Sequence, residues 1–427
     1  MERSQNYGTE FTNDQQANQE CRFCGAVLTN QFVDLGLSPL CQTQITPSQA
    51  NIGEVFYPLR VLVCNDCFLV QLDEYVKPDV IFSEDYPYYS SYSDSWVQHA
   101  RSYVDHVKSD FGISNASFVV EIASNDGYLL QHLVNDGIPC LGIEPAEGVA
   151  QAARDKGINT VSRFFGAQTA KEVAEEYGKA NLVLGNNVLA HVPDLNDFVS
   201  GLEILVSDDG MITMEFPHLL RLMEQNQFDT IYHEHFSYFS FSTVNRVFAA
   251  HNLRIFDVQE LPTHGGSIRI YACKKSADGY ELSARATDLL KREDDLGMNS
   301  LPFYQAFATQ VRQTKHELLA FLIDAKKRGK SIVGYGAPGK GNTLLNYCGI
   351  RQDFLDYTVD RSPHKQNTYT PGTRIPIYDP SRIYETKPDY ILILPWNLKK
   401  EISSSMSDVS AWGGKFVVPI PRVEILD

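Results

Sequence analysis

FVVEIASNDG, residues 118–127, is the stretch that decides the fold. Five of its first six residues are apolar, enough for a short buried strand, and the next four are small or polar. Helical periodicity resumes at once in YLLQHLVND, residues 128–136. A strand, a tight turn and a helix in this order open a doubly wound α/β sheet, where ligands bind at the carboxyl ends of the strands. Ala123, Ser124 and Gly127 are small enough to let the backbone approach a ligand closely. Glu144 closes the next predicted strand, 139–143, where a carboxylate can accept hydrogen bonds from both ribose hydroxyls. The turn lacks the G-x-G-x-x-G spacing that admits a pyrophosphate. An adenosine ligand without a pyrophosphate, such as S-adenosylmethionine, therefore fits better than a dinucleotide; a plain strand–turn–helix is the alternative that spacing leaves open. The candidate cofactor contacts are Glu121, Ala123, Ser124, Asn125, Asp126, Gly127, Glu144, Pro145 and Asn187.

Outward from this unit, strands are predicted at 181–185 and 211–216, with helices at 128–136, 146–157, 167–177 and 194–206. That alternation predicts a parallel sheet with helices on both faces. A helical region over 282–329 leads into a second run of the same kind, with strands at 331–335, 356–359, 389–394 and 415–418. There too a glycine-containing turn follows the first strand and an acid, Asp360, ends the second. The class is α/β, with two doubly wound domains whose parallel layout suggests duplication. The expected organisation is a polar, disordered leader over 1–20, a cysteine-bearing lobe over 21–82, a middle domain over 83–285 and a C-terminal Rossmann-like domain over 286–427. Short β-like runs lie at 32–35 and 60–63 in the lobe, and the tyrosine-rich SEDYPYYSSYSDSW, 83–96, resembles neither helix nor strand.

Composition narrows the function classes. Hydrophobic residues at 43% and charged residues at 21% describe a globular chain, and 427 residues favour two or three domains. Thirty-seven basic against 53 acidic residues give −16, which argues against a nucleic-acid or anionic-membrane partner. No apolar run approaches the roughly 18 residues of a membrane helix, and MERSQNYGTEFTNDQQANQE has no signal-peptide core. A cytoplasmic location is expected. Five of the eight cysteines fall in the first 67 residues. Two C-x2-C pairs, Cys21/Cys24 and Cys64/Cys67, can each turn two thiolates towards one ion and complete a closed, structural zinc site. Four unligated cysteines are the alternative. Cys41 has no paired partner and reads as an ordinary buried thiol.

Tyr232-His233-Glu234-His235 packs four proton-handling side chains into four residues. Histidines at i and i+2 share one strand face, so a metal site is one reading and a structural polar cluster another, although the spacing is not H-E-x-x-H. His191 follows the third strand of the middle sheet, at its ligand-binding edge; taken alone, a histidine there reads as a hydrogen-bonded structural residue. In the C-terminal domain Gly334, Gly336 and Gly339 satisfy G-x-G-x-x-G, Lys340 adds a charge, and Asn342 and the late Pro395-Trp396-Asn397 are further candidates. Taken alone this is a nicotinamide-dinucleotide turn or a bare scaffold turn.

EIASNDGYLL (121–130), GNNVLAHVPDL (185–195), YHEHFSYFS (232–240) and THGGSIR (263–269) resemble the sugar C-methyltransferases, commonly thymidine-diphosphate-sugar C-3'-methyltransferases of deoxysugar biosynthesis. The resemblance covers all but the first twenty or so residues. It implies a zinc-binding N-terminal lobe, a class I methyltransferase middle domain that binds S-adenosylmethionine, and a C-terminal domain assisting a nucleotide-linked keto-sugar. It points to Tyr232, Glu234, His235 and His191 in the active site, with His233 the weakest of the tetrad, and to Tyr86 lining the sugar pocket. A carbon nucleophile needs a proton removed beside a carbonyl. His235, or Tyr232 working with it, would take the C-3' proton of a 4-keto-sugar; His191 or a tyrosine would stabilise the enolate oxygen; Glu234 would orient the base. Rival readings are a nicotinamide-dependent oxidoreductase using the C-terminal glycine turn and a zinc-bearing interaction module on a silent α/β body. The oligomeric state is left open.

Overall fold

The computed structural model describes residues 19–77 and 89–426. Tyr86 and residues 1–18 of the expected leader lie outside them. Gln19 and Glu20 already belong to the lobe, because the Leu28 amide donates to the Gln19 carbonyl at 2.7 Å and Glu20 bridges to Val27.

The lobe folds as an antiparallel sheet of β1 (Asn30–Ser38), β2 (Tyr57–Val63) and β3 (Val70–Leu72). Phe32, Val33, Leu35, Leu59 and Val61 are buried in a core shared with the C-terminal domain, where Phe32 stacks on Phe307 with ring centroids 4.6 Å apart. Neither run forms a core alone; each supplies one side of it.

The middle sheet begins with β4 (Val119–Ile122), β5 (Cys140–Ile143), β6 (Thr160–Val161), β7 (Ala180–Asn186) and β8 (Val206–Pro217). The chain then leaves it for a two-residue strand, β9 (Ser237–Tyr238), which pairs antiparallel with β3 of the lobe. It returns as the hairpin β10 (Leu253–Leu261) and β11 (Ser267–Lys274), giving the order β10-β11-β8-β7-β4-β5-β6. β4 to β8 run parallel, and β11 lies antiparallel on β8. The expected all-parallel sheet is thus a mixed one, because strands joined by the short turn at Pro262–Gly266 can pair only antiparallel. From β4 the chain proceeds to β5 and β6 on one side, then to β7 and β8 on the other, so the switch point lies between the carboxyl ends of β4 and β7. Helices Leu130–Asn135, Glu147–Asp155, Ala167–Tyr177 and Leu195–Leu205 fall within the expected spans. The tyrosine-rich stretch differs: its last residues open an 18-residue helix, Asp94–Phe111, capped by the Ser93 side chain on the Trp96 amide.

The C-terminal sheet comprises β12 (Ile332–Tyr335), β13 (Thr358–Val359), β14 (Ile377–Tyr378), β15 (Tyr390–Ile393), β16 (Lys415–Val418) and β17 (Glu424–Leu426), in the order β14-β13-β12-β15-β16-β17. All pairings except β16–β17 are parallel. The region over 282–329 is three helices, Ala284–Asp295, Leu301–Gln305 and Phe307–Lys327, broken near Gly297 at φ +84°. The two α/β halves share one detail. Glu144 accepts the amides of Asn125 (3.0 Å) and Ala146 (2.9 Å), and Asp360 accepts those of Ala337 (2.8 Å) and Ser362 (2.9 Å). Among the described residues no helix is long and apolar enough to cross a membrane.

Candidate active site

A cavity of about 720 Å³ opens at the switch point, between the middle domain, the lobe and the C-terminal domain. One wall comes from the β4 and β7 turns and the end of β5: Ala123, Asn125, Glu144, Pro145 and Asn187 line it. Ala123, Asn125 and Asn187 hold left-handed backbones, at φ 55°, 50° and 55°, which curl the strand ends around the space. Burial pushes the Glu144 carboxyl up to about 7, opposed by the Ala146 and Asn125 amides. The other candidates do not line the cavity. Glu121 is buried in β4, where burial raises its carboxyl well above the usual range. Ser124 and Gly127 are buried beneath the turn, and Asp126 is taken by the Ser91 side chain and by Lys156 at 3.0 Å. Only part of the turn can face the ligand; the remainder shapes it.

The opposite wall carries Tyr232, Glu234, His235 and His191. The chain is pinned directly after Tyr232–His235: the Phe236 amide donates to the Ala190 carbonyl at 2.7 Å, and β9 is clipped to β3. The His235 ring lies 4.0 Å from that of Tyr232 and 4.7 Å from that of His191. Its Nδ1 is 2.8 Å from the Thr230 carbonyl, an acceptor only, so Nδ1 carries the hydrogen and Nε2 is the bare nitrogen of the neutral ring. Burial holds His235 well below the ordinary histidine value, and any charge on His191, His264 or Lys340 depresses it further. Burial likewise lowers His191 to about 4, against a hydrogen bond to the Glu234 backbone. The ring is oriented by the Thr230 carbonyl, while Glu234 Oε1 receives the Cys41 thiol at 3.5 Å. His233 points elsewhere, onto the Pro58 carbonyl at 3.1 Å.

From the C-terminal domain Pro338, Gly339 and Lys340 line the cavity, at the start of helix Gly339–Cys348. Gly336, Asn342, Trp396 and Asn397 do not. Trp396 donates to Asp229 at 2.7 Å, beside the residue that holds His235, and its ring lies 4.7 Å from the Lys340 ammonium. Asn397 accepts from Lys340 at 2.9 Å, and Asn342 donates to the Cys41 carbonyl at 2.7 Å. These residues brace the cavity from behind. His264, Trp96, Tyr128 and Thr230 also line it, and the sequence reading did not single them out.

The four paired cysteines converge: their Sγ atoms lie within 4.8 Å of one another, with Cys21–Cys67 and Cys24–Cys64 both at 3.5 Å. A tetrahedral ion with Zn–S bonds of about 2.3 Å needs sulfurs about 3.8 Å apart, so the donor set fits zinc and leaves no open position. The two knuckles match, with left-handed residues Gly25 and Phe68 each four residues after the first cysteine. The Cys67 thiol, through its hydrogen bond, holds Cys21 down to about 4. Gln71 donates to Cys21 Sγ at 3.1 Å, and Arg22 reaches the Pro193 carbonyl at 3.0 Å, two residues from His191. Cys41 stands outside this cluster.

Three family models match the chain in succession: "Putative zinc binding domain" over residues 21–82, "Methyltransferase domain" over 71–258 and "C-methyltransferase C-terminal domain" over 262–421. The C-methyltransferase NovU of Streptomyces niveus is 35% identical over 407 residues, spanning 95% of this chain and 96% of that protein. The chain belongs to the C-methyltransferase family. Among solved structures, magnesium protoporphyrin IX methyltransferase (ChlM) from Synechocystis PCC 6803 with bound SAH aligns at 16% identity and TM-score 0.33, covering 42% of this chain and 83% of that one. PH0226 protein from Pyrococcus horikoshii OT3 aligns at 13% identity and TM-score 0.37, covering 48% and 99%. The C-methyltransferase uses S-adenosylmethionine on its class I middle domain and holds structural zinc in its lobe.

Proposed function

We propose that this C-methyltransferase methylates C-3' of a nucleotide-linked 4-keto-deoxysugar, with thymidine diphosphate as the carrier, through a base-generated enolate. The observation that carries the reading is His235: a buried, neutral imidazole with Nε2 bare, held by Thr230 in the cavity that also contains the Glu144 turn. A carbon acid needs such a base, whereas oxygen and nitrogen acceptors already carry a lone pair. His235 Nε2 takes the C-3' proton, the C–H electron pair forms the C-3'–C-4' double bond, and the carbonyl π pair moves onto the 4-keto oxygen. His191 and Tyr232, packed on the base, are hydrogen-bond donors for that oxygen. S-adenosylmethionine, when bound, supplies the electrophilic methyl group. Glu144 receives the ribose hydroxyls, with Asn125, Pro145 and Asn187 around them.

For the diphosphate, the N-terminus of helix Gly339–Cys348 and Lys340 border the cavity and favour an anion. The nicotinamide alternative has less support, because a Cβ on Gly336 would meet Pro395 at 2.6 Å and one on Gly339 would meet Cys41 at 3.0 Å. Pro395 and Cys41 take the close backbone approach that the glycines of a dinucleotide turn would offer, whereas Lys340 still lines the cavity. Calorimetric titration with adenosylhomocysteine, thymidine diphosphate and NAD separates the two: the first pair should bind and NAD should not. Tight NAD binding would contradict the reading.

Glu144→Ala is expected to weaken adenosylhomocysteine binding by about 1.5–3 kcal/mol, the loss of a hydrogen bond to a charged group, with thymidine diphosphate binding unchanged. The carboxylate is the accepting form and is lost on protonation, so cofactor affinity should fall as pH drops through about 7. Glu144→Gln should flatten that dependence in the same titration. Lys340→Met should raise the KM for the nucleotide-sugar about tenfold, as loss of a charge-assisted bond implies, while adenosylhomocysteine affinity stays constant. Steady-state kinetics checks this.

A further inference from the structure

Resting on the substrate reading above, we infer that His264 is a further catalytic residue, donating a hydrogen bond from Nδ1 to the oxygen on which the enolate charge develops. His264 lines the same cavity as His235. Its Nε2 lies 3.1 Å from Asn187 Nδ2, an amide nitrogen that can only donate, so the neutral ring carries its hydrogen on Nδ1. Among the described residues no protein acceptor takes that hydrogen. Asn187 follows β7 at the switch point, so this donor is tied to the turn after β7 in the cavity that also holds the base.

The backbone supports a purpose beyond packing. His264 sits at φ 54° and ψ 15°, left-handed for a residue with a side chain, and two glycines follow it. Such a conformation persists only where its surroundings over-determine it, and it gathers at functional sites. Here every flank is tied down. Thr263 Oγ1 donates to Glu215 at 2.9 Å, the Gly265 carbonyl accepts from Gln227 at 2.7 Å, and the Gly266 carbonyl accepts from the His218 amide at 3.1 Å. Trp96 meets the ring edge-on, with centroids 5.1 Å apart. The turn belongs to the β10–β11 hairpin, outside the tetrad and the β4 turn, and contributes one polar side chain to the cavity.

In the step this assigns, His235 Nε2 gains the C-3' proton, the C–H pair becomes the C-3'–C-4' double bond, the carbonyl π pair settles on the 4-keto oxygen, and the Nδ1 hydrogen of His264 stays on its nitrogen while bonding to that oxygen. His264→Gly tests it, because glycine accepts the left-handed backbone without strain and removes the ring. With adenosylhomocysteine bound, in deuterated water and at saturating keto-sugar, the variant should exchange the C-3' hydrogen about 10²–10³-fold more slowly, the usual cost of one oxyanion donor. Its adenosylhomocysteine affinity and melting temperature should match the parent's. His264→Asn, which tolerates the same backbone and keeps a shorter donor, should recover part of the rate. Parental exchange in His264→Gly overturns the assignment, as does a loss matched by an equal loss of cofactor affinity, which would mark the ring as a prop for Asn187. If the parent neither exchanges nor methylates any nucleotide keto-sugar, the substrate reading fails and takes this assignment with it.

Discussion

His235→Asn should all but abolish C-3' hydrogen exchange in deuterated water with adenosylhomocysteine bound, a fall of about 10²–10⁴ set by loss of general-base catalysis. Adenosylhomocysteine blocks methylation but leaves base and carbonyl in place, so proton NMR of the C-3' signal reads deprotonation alone. The size of the effect follows from the ring's environment. Thr230 fixes the tautomer that leaves Nε2 bare, and burial keeps the ring neutral well below the ordinary histidine range. The exchange rate should therefore hold as pH falls from neutrality and be lost only below that range, where the base protonates. His191→Asn should cost less, since other donors reach the enolate oxygen. Tyr232→Phe tests the competing assignment: if it stops exchange while His235→Asn does not, Tyr232 is the base.

The second large effect lies far from the chemistry. Cys24→Ser should lose zinc, destabilise the lobe and lower activity with it, whereas Cys41→Ser should keep full zinc. Apparent binding free energies of structural zinc sites, about 10–16 kcal/mol, are folding free energies for the segments they tie together. The lobe in turn clips β3 to β9, directly after Tyr232–His235, and Arg22 of the first knuckle anchors the segment before the Leu195–Leu205 helix. Elemental analysis and a melting curve decide it: full occupancy in Cys24→Ser would refute the ligand set. Cys41→Ser carries separate information, because its thiol meets Glu234 and any change should appear in kinetics with the metal retained.

Much of this arrangement was legible in the chain because the strands that build the two sheets are continuous apolar runs and the helices between them keep their period. The hairpin β10–β11 was not, because a register shift between Ile255 and Asp257 breaks the alternation that marks a strand. β9 is two residues long, and its partner Val70 is remote in sequence, so no local pattern could announce it. Around the cavity, Glu144 and part of the β4 turn were legible as strand ends and the Tyr232–His235 motif as a dense polar run, whereas His191 came from the family resemblance. Trp96 was hidden by the tyrosine- and serine-rich lead-in to its helix, and His264 by glycines that signal a turn rather than a side chain. Gly336 was read as a ligand contact because a glycine turn looks alike whether a phosphate or a proline fills it; here Pro395 does.

Where the methyl group goes decides the reaction. Incubating the enzyme with S-adenosylmethionine and a panel of thymidine-diphosphate 4-keto-sugars, then taking mass and carbon NMR spectra of the products, tests this directly. One keto-sugar should gain the mass of a single methylene, with the new methyl on a quaternary C-3' and the C-3' proton gone. A methyl found on oxygen or nitrogen, or a C-3' proton retained in the methylated product, would contradict it.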